Sequence, residues 1–185
     1  MTDSLFHQKN YSTLAITLHW LMALMIAATV PLAWVMTDMQ TSPQKLQFYS
    51  WHKWLGVTIF LLAGLRLVAR QIQGVPDAPT GMPGWQRKAS RLSHAAIYLL
   101  LFAIPLSGWV MSSAAGVPVV YLGVWQLPDL VDKDKALLDT MKGVHGLLAN
   151  GLLVILAVHV LAALKHHFID HDGVLARMLP FLRIR

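Results

Sequence analysis

Four long apolar runs dominate this chain of 185 residues. They cover about Leu14–Met36, Ser50–Gln71, Leu92–Ser112 and Val144–Lys165. Each has roughly the 20 residues a helix needs to cross a bilayer. A soluble bundle would carry a polar stripe along each helix. The stretches Leu21–Trp34 and Leu147–Leu164 are apolar all round. Charged residues make up only 13% of the chain and hydrophobic ones 56%, with a mean hydropathy of +0.52. These features predict an all-α integral membrane protein, an up-down four-helix bundle in the lipid bilayer, with residues 1–185 as one domain.

Charge near the span ends predicts orientation. Lys9, Arg66, Arg70, Arg87, Lys88, Arg91, Lys165, Arg177, Arg183 and Arg185 collect on one side. Lys45, Lys53, Lys133, Lys135 and Lys142 collect on the other. Ten against five puts both termini in the cytoplasm. The net charge of +6 is thus a topology signal, and no nucleic-acid module competes for it. The first run lacks a basic leader and a small-residue cleavage site, so it is expected to remain as a span.

The connections follow. Thr37–Tyr49 reads as a short outer loop and Gly74–Gly84, rich in Pro and Gly, as an extended inner one. Ser113–Lys142 is the longest loop, with a short surface helix expected over Asp132–Met141, capped by Asp129 or Asp132. Gly173–Leu179 reads as an amphipathic turn in the interface. Pro31 and Pro105 fall inside spans, where neighbouring helices can satisfy the freed carbonyls. Trp34, Trp51, Trp54 and Trp109 near one surface and Trp20 near the other read mainly as interface anchors.

Every span carries a histidine, and the fourth carries two. With the predicted topology His52 and His145 lie near the outer surface, and His19, His94 and His159 near the inner one. His145 and His159 are fourteen residues apart. That is close to four helical turns, so both rings leave nearly the same face about 21 Å apart. One helix thus offers an imidazole near each surface, as two stacked haems require. There is no cysteine, which excludes disulfides, iron–sulfur clusters and covalent c-type haem. There is no glutamate, which argues against a carboxylate-bridged di-iron site. Any haem here must be held non-covalently, and the spacing suits two of them.

His52 with His145 is the expected outer ligand pair, and two imidazoles leave no axial position for ligand chemistry. His159 with His19 is the expected inner pair. His94 stays open between replacing His19 as ligand, bonding a propionate, lining a quinone pocket, or a structural hydrogen bond. Arg66 lies fourteen residues after His52 and reads as a propionate partner or a topology arginine. Gly56 and Gly108 read as places where a porphyrin edge approaches a helix, or where helices touch. Lys53 and Trp54 read as a rim beside His52. His166 lies two turns beyond His159, where it could bond a quinone carbonyl. With His167 it reads alternatively as a metal-binding pair or a polar helix end.

The chain resembles the bacterial cytochrome b-561 family. The matching residues are Leu18-His19-Trp20, His52-Lys53 with Gly56, and Ser93-His94-Ala95 with Tyr98. They continue with His145, His159, Ala162 through Phe168, and Arg177-Met178-Leu179-Pro180. The resemblance covers nearly the whole chain. It implies two b haems, with His52 and His145 on the outer iron and His19 and His159 on the inner iron. Similar cytochromes serve as membrane subunits of hydrogenases and formate dehydrogenases. One branch is implied to oxidise superoxide outside and reduce ubiquinone near the inner haem, with a pocket around His94 and His166.

The expected activity is therefore transmembrane electron transfer in a bacterial inner membrane, from superoxide to the quinone pool. Lys45, Lys53 and Lys142 would steer the anion, against the opposing charge of Asp129, Asp132, Asp134 and Asp139. The alternatives are a quinol-driven relay to a periplasmic redox protein, docked on the long loop, and an anchor cytochrome of a larger complex. A histidine-lined metal transporter would need acidic residues within the spans, which have none away from their ends.

Overall fold

Each long helix begins where the sequence offers a cap or a proline. The computed structural model describes residues 11–79, 81–179 and 181. Lys9, Arg183 and Arg185 of the charge count, and Pro180 of the tail match, lie outside the described residues. Helix α1 spans Thr13–Asp38, with Ser12 accepting a hydrogen bond from the Ala15 amide at 3.1 Å. Helix α2 spans Pro43–Gln73, with Ser42 as cap and Pro43 in the first turn, where a missing N–H costs nothing. Gly74 ends it at φ 74°, a positive φ that glycine adopts without a Cβ clash. Helix α3 spans Gly84–Ala114 and begins directly after Pro83. Helix α4 spans Lys135–Lys165.

All four are long and apolar enough to cross a membrane. Their outer faces are apolar too: Leu24, Leu61, Leu99, Leu147 and Val154 are each more than half exposed. The interior is a small layer of Met22, Ile59, Ala63, Leu101 and Leu152. Ile59, Leu101 and Leu152 each follow a histidine by seven residues, which is two turns. Leu152 sits midway between His145 and His159. The apolar layer therefore separates two polar levels of the bundle.

Several boundaries differ from expectation. The first loop shrinks to residues 39–42, because Pro43 starts α2 early. No separate surface helix precedes α4. Residues 135–141 are instead its first turns, capped by Asp134, which accepts from the Ala136 and Leu137 amides at 2.8 and 3.0 Å. Asp129 and Asp132 do not cap it. The long connection also holds a hairpin, strand β1 (Val120–Tyr121) antiparallel to β2 (Trp125–Gln126). Its turn uses two left-handed residues in succession, Leu122 at φ 52° and Gly123 at φ 74°.

Two side chains read as interface anchors hold this connection down. Trp54 donates its indole N–H to the Val120 carbonyl at 2.7 Å, and Trp109 donates to Pro128 at 3.0 Å. Thr58 and Tyr121 hydroxyls meet at 2.9 Å. Trp34 and Trp51 remain exposed, as anchors should.

The chain's last described stretch also folds back on the bundle. Below α4 a π-helical turn covers His166–Asp170, followed by a 3₁₀ turn at Leu175–Arg177. Trp20 of α1 donates to the Met178 carbonyl at 2.8 Å. Arg177 donates to the Asp77 carbonyl, in the α2–α3 connection, at 2.6 Å. The tail thus crosses from α4 to α1 beneath the bundle. It is more than the isolated amphipathic turn expected over Gly173–Leu179.

Candidate functional site

Close backbone packing joins α3 to α4, α1 to α2 and α2 to α3, whereas α4 stands away from α1 and α2. The histidines bridge those wider separations. His52 of α2 faces His145 of α4 with ring centres 6.2 Å apart. His19 of α1 faces His159 of α4 at 6.3 Å. The first pair lies at the loop end of the bundle and the second at the termini end.

These separations test whether a metal-centred group fits. A metal–nitrogen bond is about 2.0–2.1 Å and a ring centre lies about 1.1 Å behind its coordinating nitrogen, so two imidazoles across one ion have centres about 6.3 Å apart. Both pairs meet that span. His94 also lies at the termini end, but its ring is 5.2 Å from that of His159 and edge-on to it. That is about 1 Å too close for an opposed pair of ligands.

Hydrogen bonds fix which nitrogen faces inward. The His145 Nδ1 approaches the Ile104 carbonyl at 3.1 Å and the Ser107 hydroxyl at 3.0 Å. A carbonyl only accepts, so Nδ1 carries the proton and Nε2 keeps its lone pair for a metal. Ile104 immediately precedes Pro105, and its carbonyl also accepts from Ser107 at 2.7 Å. His52 Nδ1 is buried and lacks a hydrogen-bond partner. Gly56, one turn from His52, is half-buried, and a Cβ there would meet nothing within 4 Å. Donor type, spacing, helix separation and a smooth wall at Gly56 all fit a flat macrocycle between paired imidazoles.

At Gly108, where a porphyrin edge or a close helix contact was expected, the neighbour is on the facing helix. A Cβ there would meet the His145 ring at 3.2 Å. The missing side chain makes room for the imidazole. Together with Ser107 and the Ile104 carbonyl, it forms a seat for His145 that the sequence reading missed.

Arg66 reaches the termini end, as its fourteen-residue offset from His52 requires. Its guanidinium donates to the Ala15 carbonyl, one turn from His19. It lines a cavity of about 320 Å³ with Arg70, Tyr98, Tyr11, Ser12 and Gln73. His94 donates from Nδ1 to the Ser90 carbonyl at 2.7 Å, leaving Nε2 free. His166 is mostly buried and bonds through Nδ1 to Asp172 at 2.5 Å. With Asp170 these residues bring ligand-type atoms within 4.8 Å of one another. The Lys165 ammonium already sits on Asp170, at 2.5 and 2.8 Å. His167 takes no part in that cluster and packs edge-on against Phe168.

The lysines named for steering are engaged. Lys142 pairs with Asp139 at 3.3 Å. Lys45 donates to the Met39 carbonyl, and Lys53 to those of Val117 and Pro118, at 2.5, 3.4 and 3.5 Å. Lys53 thus helps fasten the α3–α4 connection, which forms a lid at the loop end near His52.

Residues 10–181 match the family profile of prokaryotic cytochrome b561. The chain is 32% identical over 172 residues to cytochrome b561 homolog 2 of Escherichia coli, covering 92% of each protein. It is 32% identical over 178 residues to a Yersinia pestis protein named probable superoxide oxidase CybB, covering 93% of this chain and 97% of that one. It is 26% identical to cytochrome b562 of Cereibacter sphaeroides, over 93% of this chain and 96% of that one. The chain belongs to the prokaryotic cytochrome b561 family, membrane helical bundles that transfer electrons with b-type haem.

Proposed function

We propose that this protein carries electrons across a bacterial inner membrane through two b haems, oxidising superoxide on the periplasmic side and reducing ubiquinone near the cytoplasmic side. The observation that carries this reading is the pair of histidine separations, 6.2 and 6.3 Å, at two levels of α4. His52 and His145 would hold one haem, and His19 and His159 the other. Each haem would supply a one-electron carrier with no open axial position.

The chain's own residues divide the remaining work. Ser107, Gly108 and the Ile104 carbonyl hold the His145 ring in one tautomer and orientation. The lid fastened by Lys53, Trp54 and Trp109 limits water at the loop end. The layer around Leu152 keeps the space between the two levels apolar. Arg66 and Arg70, at the termini end, suit a propionate carboxylate. His94 and His166, each with Nδ1 engaged, would leave Nε2 for a quinone oxygen. Both termini would be cytoplasmic, from the ten-to-five distribution of basic residues.

The resemblance to a protein named as a probable superoxide oxidase supports the superoxide reading. The test is stopped-flow visible spectroscopy of the oxidised, haem-loaded protein mixed with superoxide, with and without ubiquinone. Fast haem reduction, reversed by quinone, is expected. Haem that stays oxidised with superoxide but is reduced by quinol would overturn the direction.

One observation favours the outward relay as second reading. The hairpin tip exposes Leu122, Val124 and Trp125, at 56, 89 and 70%. Such an apolar tip beside the His52–His145 level would suit a periplasmic acceptor, or a larger complex to which the cytochrome is anchored.

A further inference from the structure

The segment below α4 places a carboxylate against a histidine by an unusual backbone path. On a continuing α-helix, residues 166 and 172 would lie about 120° apart around the axis and nearly two turns apart along it. The π-helical turn at His166–Asp170 and the left-handed His171, at φ 52°, break that course. The chain turns back, and the Asp172 amide reaches the His166 carbonyl at 3.3 Å. The Asp172 carboxylate then accepts from His166 Nδ1 through Oδ2 at 2.5 Å. Its other oxygen accepts from the Val174 amide at 3.1 Å, so the carboxylate is held from both sides. π-turns recur where a functional group needs this kind of local re-aiming.

Exposure grades across the cluster. The His166 and Asp172 side chains are 14% and 17% exposed, against 42% and 28% for Lys165 and Asp170. Asp170 also lies 3.2 Å from His166 Nδ1. The wetter Lys165–Asp170 pair thus borders the drier His166–Asp172 pair. His166 follows His159 by two turns on the same face, about 10 Å towards the termini end. The tail that carries Asp172 continues to Trp20, the residue next to His19.

We propose that Asp172 is a positioning residue that holds His166 Nδ1, so that Nε2 of His166 exchanges protons with a quinone oxygen at the termini end. This rests on the quinone reading given above. A quinone becomes a quinol by taking two electrons and two protons. The electrons come from two superoxide anions, each oxidised to dioxygen. In its doubly protonated form His166 gives the Nε2 proton to the quinone oxygen, the N–H bond breaking as the O–H bond forms. The other proton stays on His166 Nδ1, hydrogen-bonded to the Asp172 carboxylate. Nε2 is then reprotonated from cytoplasmic water by way of the Lys165–Asp170 border, and the second proton follows the same route.

The test uses the haem-loaded full-length protein, reduced and then mixed with ubiquinone-1 in H₂O and in D₂O. For Asp172→Asn the haem spectrum and haem reduction by superoxide should be unchanged. Quinone-driven reoxidation should slow by about 10²-fold, the lower end for a lost proton donor, with a larger solvent isotope effect than wild type. His166→Gln should match it, and the double variant should be no slower than either single one. Asp172→Glu should restore much of the rate. Unchanged reoxidation in Asp172→Asn, with fast wild-type reoxidation, would overturn the dyad and leave the quinone reading standing. Loss of haem in Asp172→Asn that Asp172→Glu does not restore would assign the pair a purely structural role. Reduced wild-type haem that ubiquinone-1 cannot oxidise would overturn the quinone reading and this proposal together.

Discussion

A Cβ atom on Gly108 would lie 3.2 Å from Cε1 and 3.4 Å from Nδ1 of His145. The imidazole cannot retreat freely, because Ser107 and Ile104 hold the same nitrogen at 3.0 and 3.1 Å. Gly108→Ala should therefore tilt His145 away from His52. An overpacked contact of this kind costs about 1–3 kcal/mol, so haem affinity at that level should fall about tenfold or more. Titration of the apo-protein with haem, followed in the Soret band, would then show one tight and one weakened site. Two unchanged tight sites would mean that α3 yields instead.

The histidine pairs make a sharper prediction. His52→Ala and His145→Ala should each remove the same haem, and His19→Ala and His159→Ala the other. His94→Ala should keep both, because its ring lies only 5.2 Å from His159. Haem content and low-temperature spectra of the five variants decide it. A His94 variant that loses one haem while His19→Ala keeps two would reassign the ligand.

Much of this arrangement is legible in the sequence, because helix period and bilayer length act on the same residues. Spacing alone puts His145 and His159 on one face, and alternating span direction sorts the histidines into levels. The start of α4 is less legible. Its first turns carry the exposed Lys135, Asp139 and Lys142, so hydropathy sees only the apolar remainder. The hairpin has two residues per strand, too few for a periodic signal, and depends on distant partners such as Trp54. The His166–Asp172 contact defies the 3.6-residue period outright, since it needs a π-turn and a left-handed histidine. Gly108 was legible as a close-approach position, but the identity of its neighbour depends on how α3 packs on α4.

The lid offers an independent test. Trp54→Phe keeps most of the ring but removes the N–H bonded to Val120 at 2.7 Å. Loss of one such bond costs about 1 kcal/mol, which corresponds to roughly fivefold faster local opening. Hydrogen exchange in detergent should show that increase over residues 119–127 and little change in α1. Exchange that stays at the wild-type rate would mean that Thr58–Tyr121 and Lys53 suffice to hold the hairpin.

The tail tie at Trp20 can be separated from the neighbouring His19 in the same way. Trp20 meets the His19 ring edge-on with centres 5.3 Å apart, while its N–H is spent on the Met178 carbonyl at 2.8 Å. Trp20→Phe keeps an aromatic ring beside His19 and deletes only the tie. Exchange over residues 173–179 should rise about fivefold, matching the loss of one hydrogen bond. The haem at the termini end should remain bound. Met178→Ala is the control, because the accepting carbonyl survives it, and its tail should stay near wild type. If the two variants loosen the tail equally, side-chain packing of Met178 rather than the indole bond fastens the segment that carries Asp172.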